Sequence, residues 1–475
     1  MHRAKSLLLL VGWLTTCWLA DRAEADRPNV LLIAIDDLNN WVGCLGGHPQ
    51  ARSPNIDRLA EQGTLFRNAH CQAPICNPSR TSIMYGVRPS TSGVYMNSPK
   101  PWTVDYLKGR VTLPRHFASS GYKTYTAGKI YHGSGLPPGD FDVVGPRPGQ
   151  RLKVDERLIA ETRGGAKGLW DFGAQAYEEG LFQDHIDASW AIDVLQKHSE
   201  QPFFLSVGFY RPHVPFYSPS RVFNELSDDA IELPEVMEND REDLPEIVNA
   251  LTKAPAAPDH AWFVESGRWK EAVQSYLACI RWTDEQVGRV LDALAASAHA
   301  DNTIVVLYSD HGFFLGEKER WAKQSLWEQA TRVPFVIRAP GFKAGGSCER
   351  PVELLSIYPT LIELCGLPKR DEIEGVSLKT LLLDPNSEWS NMALTTFGRD
   401  NHAVRSETHR YIRYRDGSEE LYDLRNDPNE WNNLAGDLSM ALVKTELSEF
   451  FPDTNADVAK ASNVKRKQAN KRTKK

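Results

Sequence analysis

Short apolar runs rich in β-branched residues alternate with helical patterns along most of the chain. The first run, NVLLIAI, covers Asn29–Ile35, and four more follow at 123–129, 202–209, Thr303–Ser309 and 333–339. Runs of this length and composition predict buried strands. Because helical patterns lie between them, the sequence predicts an α/β fold whose large central sheet, mostly parallel or mixed, is flanked by helices.

A short amphipathic helix is predicted after the first strand, in the stretch SPNIDRLAEQG. Ile56, Leu59 and Ala60 repeat at i, i+3 and i+4, which places them on one buried face. Ser53 suits the N-cap position, and Gly63 suits the end of the helix.

The pattern changes in the second half of the chain. A long helix is predicted over 271–295, with Tyr276 in its buried stripe. Before it, 216–261 is acidic and proline-rich, which predicts a surface excursion and a candidate wall of a cleft. The stretch HRYIRYRDGSEELYDL predicts a hairpin with Asp416 and Gly417 at its turn. A smaller C-terminal α+β domain is therefore expected.

The N-terminus has the pattern of a cleaved export signal: a basic head, an apolar run at 7–20, and small residues at Ala23 and Ala25. The alternative is a membrane anchor, but the run is short for a span, and no later segment is long enough to cross a bilayer. The sequence therefore predicts a signal peptide at 1–25 and a protein that is exported to a periplasmic, secreted or lysosome-like location, with no stable membrane span.

The rest of the chain is predicted to divide into a main domain at 26–388, a C-terminal subdomain at 389–458 and a basic, disordered tail at 459–475. The formal net charge is −7, and the last sixteen residues hold eight Lys and Arg and no acid, which leaves −15 on the remainder. A body this acidic excludes a general binder of nucleic acid or other polyanions. An anionic ligand must therefore be held by a local basic pocket.

Six cysteines follow the predicted signal peptide, which is too few for a disulfide-framed scaffold of this size. They are Cys44, Cys71, Cys76, Cys279, Cys348 and Cys365. One bridge is compatible with the sequence, which does not identify the pair.

Polar residues collect at the ends of four predicted strands. They are Asp36 and Asp37, Lys129 and His132, His213, and Asp310 and His311. In parallel α/β sheets, ligands bind at the carboxyl ends of the strands. A solvated turn would explain any single set, but four sets together predict one shared site.

Asp36, Asp37 and Asp310 would bring three carboxylates into that site. Without a counter-charge they would repel one another and shift each other's pKa values. Oxygen ligands favour a hard divalent cation, Ca²⁺ or Mg²⁺, and His311 offers a nitrogen. The alternatives are a helix cap or loop for the aspartate pair and a structural imidazole for His311.

The stretch CNPSRTSIMYG places Cys76 just before a predicted helix, because Pro78 suits a first helical turn. The cysteine would lie in the positive field of the helix N-terminus, with Arg80 one turn on and on the same side. Such a position suits a nucleophile that is held near an anion. A thiol phosphatase would need five residues between Cys and Arg, and zinc binding with Cys71 lacks a second pair of ligands. A buried cysteine without a chemical role is a further alternative.

The same stretch resembles the signature of sulfatases, C-x-P-S-R followed by a short segment to a glycine. NVLLIAIDDL, GKIYH, RPHVPF, SDHGFFLGEKERWAKQS and ELYDLRNDPNEWNNL also resemble sulfatase segments in sulfatase order, so the likeness covers about 28–435. Within the family, GKIYH, RPHVPF and WAKQS are most similar to iduronate-2-sulfatases. The resemblance implies an alkaline-phosphatase-like and sulfatase-like fold, with a catalytic domain at 26–388.

The resemblance also implies two additions to the chain. A formylglycine-generating or sulfatase-maturating enzyme would oxidise Cys76 to formylglycine before folding. One Ca²⁺ ion would be bound in the site. Its ligands would be Asp36, Asp37, Asp310, His311 and the matured Cys76.

Roles for the other site residues follow from the resemblance as well. Arg80 would steady the formylglycine hydrate and the sulfate, and Lys129 would neutralise sulfate oxygens. His132 would hold and deprotonate the second hydroxyl of the hydrate. His213 and Lys323 would bind the ester and assist the departing oxygen.

The sequence therefore predicts an enzyme, a sulfuric ester hydrolase that acts on sulfated oligo- or polysaccharides containing uronic acid, with iduronate 2-O-sulfate as the specific expectation. One alternative is a phosphate or phosphonate ester hydrolase of the same superfamily. Another is a non-catalytic glycan-binding relative with an unmodified cysteine. Phe313, Arg399 and His402 are candidates for contacts with the substrate.

Overall fold

The computed structural model describes residues 27–146, 158–159, 169–197, 201–226, 230–253 and 257–461. The predicted signal peptide and nearly all of the predicted basic tail lie outside these residues. None of the helices within them is long and apolar enough to cross a membrane.

Strands make up the centre of the molecule and a separate C-terminal sheet. In the described residues they are β1 (Asn29–Ile35), β2 (Thr64–Phe66), β3 (Ala69–His70), β4 (Lys123–Gly128), β5 (Val143–Val144), β6 (Phe172–Gln175), β7 (Phe203–Phe209), β8 (Phe216–Pro219), β9 (Thr303–Ser309), β10 (Phe314–Leu315), β11 (Trp321–Ala322), β12 (Phe335–Arg338), β13 (Gly346–Cys348), β14 (Val352–Glu353), β15 (Ala393–Thr396), β16 (His402–Arg405), β17 (His409–Arg413) and β18 (Glu419–Asp423).

Helices of very different length pack around the strands. In the described residues they are α1 (Pro54–Gln62), α2 (Cys76–Tyr85), α3 (Pro89–Ser92), α4 (Leu113–Ser119), α5 (Gln183–Leu195), α6 (Ser220–Phe223), α7 (Glu246–Leu251), α8 (His260–Glu265), α9 (Trp269–Ala295), α10 (Glu328–Thr331), α11 (Ile357–Leu364), α12 (Lys379–Leu383) and α13 (Ala441–Ser448).

The central sheet has eight strands in the order β13-β2-β12-β9-β1-β7-β4-β5. β1 lies in the middle and is parallel to both β7 and β9, and β4 extends the parallel part beyond β7. β12 is antiparallel to β9 and to β2, so the sheet is mixed. The predicted α/β fold is confirmed. Because β9, β1, β7 and β4 are parallel neighbours, their carboxyl ends lie along one edge of the sheet.

β1 is buried along its whole length, which is why it reads as a continuous apolar run. Leu31 and Ile33 face a core that α1, α5 and α9 cover, whereas Val30 and Leu32 face a core that α2, α4 and α11 cover. The alternation of side chains along a strand sends neighbours to opposite faces. The sheet is therefore a middle layer between two helical layers.

The amphipathic helix α1 begins at Pro54 and buries Ile56, Leu59 and Ala60, as its spacing predicts. Ser53 occupies the N-cap position, but its side chain does not cap the helix. Its hydroxyl instead accepts a hydrogen bond from the Gly43 amide at 2.8 Å and donates to Asp57. The expectation of a side-chain cap was therefore wrong, because the Ser53 hydroxyl forms its hydrogen bonds with Gly43, in the loop before the helix, and with Asp57.

The C-terminal sheet is a four-stranded antiparallel meander, β15-β16-β17-β18. β17 and β18 form the predicted hairpin. Val404 on one face packs against Leu447 of α13, and Ile412 on the other face packs against Trp327 of the main domain. This sheet begins at Ala393, shortly after the proposed domain boundary at residue 388, and the boundary itself stays a prediction.

The acidic segment at 216–261, predicted as a surface excursion, is partly buried in the fold. β8, at its start, is fully buried and pairs with β6. Val248 of α7 is also buried and packs in the same cluster as Trp327 and Ile412. The segment therefore connects the main domain to the C-terminal sheet.

Candidate active site

The polar residues at the strand ends come together around Cys76. Ligand atoms of Asp36, Cys76, Asp310 and His311 all lie within 4.8 Å of one another, and so do those of Asp36, Asp37, Cys76 and His213. β1 supplies the aspartate pair, β9 is followed by Asp310, and β7 is followed by the loop that carries His213. Segments more than 270 residues apart in the chain thus form one cluster.

Cys76 is the first residue of α2, one position earlier in the helix than predicted. Its Sγ atom lies 3.3 Å from His311 Nε2, 3.4 Å from Lys323 Nζ and 3.7 Å from Lys129 Nζ. Burial by itself would raise the pKa of the thiol, but the cations of Lys129 and Lys323 lower it well below its usual value. The side chain at position 76 therefore lies where negative charge is stabilised.

Asp36 and Asp310 are fully buried and are bridged by Arg80. Arg80 Nε donates to Asp310 Oδ2 at 2.7 Å, and Arg80 Nη2 donates to Asp36 Oδ1 at 3.1 Å. Lys129 Nζ also donates to Asp36. Burial raises the pKa of Asp36, yet Lys129 and His213 outweigh it and hold that pKa well below the usual value. For Asp310 burial dominates, and its pKa is raised despite Arg80.

Asp37 differs from the other two carboxylates because one of its oxygens is unpaired. Oδ1 accepts a hydrogen bond from Lys323 Nζ at 2.5 Å, whereas Oδ2 is buried and has no hydrogen-bond partner in the described part of the chain. Burial raises the pKa of Asp37 to about 7. The backbone adopts φ 63°, a left-handed conformation that aspartate tolerates better than most residues.

This donor set fits a divalent metal ion. Three buried carboxylates converge, one of them with an unpaired oxygen, and such oxygens are the preferred ligands of hard cations such as Ca²⁺. The residues that would hold the ion are Asp36, Asp37, Asp310, His311 and the side chain at position 76. His213 joins this set in the structure, although the sequence assigned it only to the substrate.

The two histidines of the site are oriented by backbone carbonyls. His311 Nδ1 lies 3.0 Å from the Gly312 carbonyl oxygen, and His213 Nδ1 lies 2.6 Å from that of Val214. Their Nε2 atoms consequently face the cluster, with that of His213 lying 3.9 Å from Asp36 and from Asp37. Burial and the cation of Lys323 lower the pKa of His213 well below its usual value.

The sequence "GKIYH" places Lys129 in the site through the turn at Gly128. Gly128 has φ 68°, and a Cβ there would collide with the Gly208 carbonyl oxygen, so glycine is required. Lys129 is 2% exposed and lies over the ring of Tyr210, 4.9 Å from its centroid. A cation held in this way is fixed in position before any ligand arrives.

Arg80 and His132 differ from their predicted contacts. Arg80 donates to Asp36 and Asp310 and to the carbonyls of Lys129 and Ile130, so in the structure it holds the carboxylates in place. His132 is half-buried, and its Nδ1 atom is buried without a hydrogen-bond partner in the described residues. Their predicted roles toward the hydrate stay predictions.

Lys323 is placed by a loop that contacts the segment before Cys76. The Gln324 amide donates to the Pro74 carbonyl oxygen at 3.1 Å, which ties the two segments together. Lys323 Nζ then reaches both Asp37 and Cys76. Apart from the resemblance, little in the sequence pointed to this lysine, but its contacts with Asp37 and Cys76 place it in the centre of the cluster.

Several residues that support the site were not assigned to it from the sequence. The Tyr276 hydroxyl donates to the Asp37 carbonyl oxygen at 2.7 Å, and the Ser79 hydroxyl donates to that of Asp310 at 2.6 Å. Asp184 accepts hydrogen bonds from the amides of Tyr210 and Arg211 and so holds the start of the His213 loop. A tyrosine in a buried helical stripe needs a partner for its hydroxyl, which was the available signal for Tyr276.

The three candidates for substrate contacts lie elsewhere. Phe313 and His402 are buried, at 1% and 2% exposure, and His402 Nδ1 pairs with the Thr396 hydroxyl at 2.9 Å. Arg399 is exposed and forms an ion pair with Asp457 at 2.6 Å. Phe313 belongs to the core beside β1. None of the three contacts the cluster around Cys76 in the described structure.

Comparisons to known proteins agree with the fold. A family model described as Sulfatase matches residues 28–367, well over half of the chain. The chain belongs to the sulfatase family. A second model, described as N-sulphoglucosamine sulphohydrolase, C-terminal, matches 316–457 of this sulfatase. The family resemblance noted in the sequence is thus confirmed.

Relatives of this sulfatase cover most of its length. It is 41% identical over 446 residues to a sulfatase of Formosa agariphila, across 91% of this chain and 88% of the relative. It is 34% identical over 399 residues to iduronate 2-sulfatase of Mus musculus, across 73% of this chain and 70% of the relative. The solved phosphonate monoester hydrolase of Agrobacterium radiobacter is 24% identical and superposes with a TM-score of 0.75 over 89% of this chain and 94% of that one, which shows a shared fold.

Proposed function

We propose that this sulfatase hydrolyses sulfate esters of glycans that contain uronic acid, with iduronate 2-O-sulfate as the specific substrate. The observation that carries the proposal is the convergence of His311, Lys323 and Lys129 on the side chain at position 76, within 3.7 Å. The 34% identity to an iduronate 2-sulfatase supports the specific substrate. The sulfated oligo- or polysaccharide is then the partner in solution.

The chemistry depends on two groups that the chain acquires. Bound Ca²⁺ supplies electrostatic stabilisation of negative charge on the nucleophile and on the sulfate. Oxidation of Cys76 to formylglycine by a maturation enzyme supplies, after hydration, two hydroxyls on one carbon, one to attack the ester sulfur and one to release the product. The buried carboxylates with their unpaired oxygen support the ion, and the surroundings of Cys76 support the oxidised side chain.

The protein's own side chains hold the substrate and move protons. Lys129 neutralises the sulfate oxygens, on which charge develops in the transition state. His213 and Lys323 bind the ester and assist the departing oxygen, which matters because a sugar alkoxide is a poor leaving group. His132 takes the proton of the second hydroxyl, and its unpartnered Nδ1 supports that role. Arg80 keeps Asp36 and Asp310 in place and steadies the sulfate.

Export and domain organisation belong to the same proposal. The pattern of 1–25 supports a cleaved signal peptide and therefore an exported enzyme. Residues 26–388 would carry the catalysis, and 389–458 would form a C-terminal subdomain.

The proposal is tested on protein whose residue 76 has been analysed by intact mass of its peptide. In matured protein, one oxygen replaces the thiol sulfur and two hydrogens. Matured enzyme is then assayed on a panel of sulfated disaccharides and on matched phosphate and phosphonate esters. We expect release of sulfate from uronate 2-O-sulfate at the highest kcat/KM. Faster turnover of the phosphorus esters, or no turnover of any sulfate ester by fully matured protein, would contradict the proposal.

A further inference from the structure

A basic cavity lies beside the candidate active site. It has a volume of about 280 Å³ and is formed by residues of 241–253 and 257–260 and by the residues that precede Lys323. Three cationic side chains line it, Arg241, Lys253 and Arg320. The acidic, proline-rich segment thus contributes cations to the wall of a cavity.

Arg320 is a buried cation without a counter-charge. It is 4% exposed, and its Nη2 atom donates to the carbonyl oxygens of Lys323 and Gln324. Its Nε atom is buried and has no partner, and no carboxylate of the described residues lies within 4.0 Å of the guanidinium. Burial, together with repulsion from Arg241, lowers the pKa of Arg320 to about 9. A buried charge in this state is stabilised by an anion.

The other two cations are also available to a ligand. Arg241 is half-buried and donates to neutral acceptors, Asn249 Oδ1 at 2.8 Å and Thr252 Oγ1 at 2.9 Å. Lys253 is exposed at the rim of the cavity.

Two acids also line the cavity, but neither forms an ion pair with these cations in the described structure. Asp259 accepts a hydrogen bond from the Trp262 amide at 2.8 Å, as the N-cap of α8. Glu319 is exposed to solvent. The cavity therefore keeps a positive surplus that its own walls do not neutralise.

The cavity and the candidate active site share one loop. Arg320 donates to the backbone carbonyl of Lys323, whose Nζ atom lies 3.4 Å from Cys76 Sγ. The guanidinium is thus separated from Cys76 by the length of a single lysine residue. A ligand of a few sugar rings is long enough to reach both.

We propose that this cavity binds a second anionic group of the glycan, the carboxylate or sulfate of the ring next to the one whose sulfate is cleaved. This inference rests on the proposed function. Guanidinium groups bind carboxylate and sulfate through paired N–H donors, which suits Arg241 and the unpaired Nε of Arg320. The acidic character of the whole protein makes such a local basic pocket necessary for a polyanionic substrate.

The kinetic test compares two substrates that carry the same scissile sulfate. One has an anionic neighbouring ring, and the other has a neutral ring of the same size. Arg241→Gln is expected to lower the ratio of their kcat/KM values about tenfold, mainly through KM, since a hydrogen bond to a charged group has about that effect. Lys253→Gln, at the rim, is expected to lower it about twofold.

The matched control is Arg289→Gln. Arg289 is another arginine that donates to neutral acceptors, but its contacts are with Gln286, Ser189 and the His185 carbonyl. It is expected to leave the ratio unchanged. An unchanged ratio in Arg241→Gln, or an equal fall in the control, would overturn the inference.

A binding test separates the cavity from the chemistry. In a Cys76→Ala background, which turns over no substrate, calorimetric titration with the anionic disaccharide is expected to show about tenfold weaker binding when Arg241→Gln is added. If inorganic sulfate alone gives the whole Arg241-dependent signal, the cavity holds a free anion and the inference is wrong. Absence of sulfatase activity with Arg241-dependent binding intact would instead contradict only the proposed function.

Discussion

Two buried charge clusters of this protein differ in how their carboxylate oxygens are paired. One surrounds Cys76. The other joins the main domain to the C-terminal sheet, where Glu328 accepts hydrogen bonds from Arg405 and Arg410. In the same interface Glu420 accepts from Trp327 Nε1 at 2.7 Å and from the hydroxyls of Tyr414 and Tyr422. Both oxygens of Glu420 are therefore paired.

In the cluster around Cys76, by contrast, one carboxylate oxygen is left unpaired. Asp37 keeps one oxygen unpaired, and the imidazole and lysine groups converge on a single side chain. Unpaired buried polar groups cost stability, and an unpaired carboxylate oxygen that faces other converging charged groups is a candidate ligand atom. The comparison teaches that both oxygens of Glu420 are held by donors where the domains join, whereas Asp37 keeps one oxygen unpaired at the candidate metal site.

The largest effect is expected from removing the side chain at the centre of the incompletely paired cluster. Cys76→Ala should lower kcat/KM for a sulfate ester by about 10⁴-fold or more, because the nucleophile can no longer be formed. The melting temperature of the Cys76→Ala variant should change little. Cys279→Ala, at a buried cysteine of the core, is the control and should keep its activity. Comparable activity in Cys76→Ala and Cys279→Ala would mean that the cluster around Cys76 is not the active site.

Breaking the cluster that joins the domains should lower stability and leave the chemistry unchanged. Glu328→Gln leaves Arg405 without a carboxylate partner among the described residues and leaves Arg410 with Glu430 alone, and we expect a loss of about 3–5 kcal/mol in the free energy of unfolding. Denaturant unfolding measures this loss, and activity per folded molecule should stay within about twofold. The control, Glu407→Gln, breaks an exposed pair with Arg350 and should cost less than about 1 kcal/mol.

Metal binding should depend on the unpaired oxygen of Asp37. The wild-type protein should gain about 2.7 kcal/mol of stability when Ca²⁺ reaches a hundred times its Kd, and the chelator EGTA should reverse the gain. Asp37→Asn should lose most of this response. In EGTA at pH 8 it should be at least as stable as the wild type, because it removes a buried carboxylate whose pKa is raised.

Asp292→Asn, at an exposed pair with Arg58, should keep the full response to Ca²⁺. Thermal melting with and without the ion checks both variants. A wild-type response that Asp37→Asn retains would show that the unpaired oxygen is not a ligand.

The smallest effect concerns Asp187, a carboxylate outside both clusters whose Oδ1 accepts a hydrogen bond from Gln183 and whose Oδ2 has no partner in the described residues. Burial, and to a lesser extent Asp184, raises the pKa of Asp187 to about 8. The unfolded chain therefore releases this proton at lower pH than the folded one, so stability falls as pH rises from about 4 to about 8. Asp187→Asn should remove that dependence and raise stability at pH 8 by about 1–2 kcal/mol.

Asp193→Asn, an exposed position on the same helix, serves as the matched control and should leave the pH profile unchanged. Urea unfolding across the pH range measures both variants. A loss of stability in Asp187→Asn at pH 8 would mean that the buried charge of this carboxylate is not a cost to the folded state.

Much of the site could be predicted because it follows the strands. Asp36 and Asp37 follow β1, Asp310 follows β9, and a parallel sheet brings such positions to one edge. The exact start of α2 at Cys76 and the use of the Ser53 hydroxyl by Gly43 could not be predicted. Both depend on backbone contacts with neighbouring loops, which local propensity does not encode.

The pairing of side chains was also beyond the sequence. Arg80 was expected to face the substrate, but it lies between two carboxylates that reach it from different strands. Phe313 and His402 follow or begin strands and still point into cores. Whether a residue near a strand end faces the crevice depends on the path of the loop that carries it.

The sequence by itself determined the α/β architecture, the family, and which residues stand at the strand ends, because these follow from local apolar runs and short motifs. Only the tertiary structure decided which buried charges are paired. It also placed His213 beside the carboxylates and Arg241 of the acidic segment in the wall of a basic cavity. The physical reason is that pairing and burial depend on distances between groups far apart in the chain.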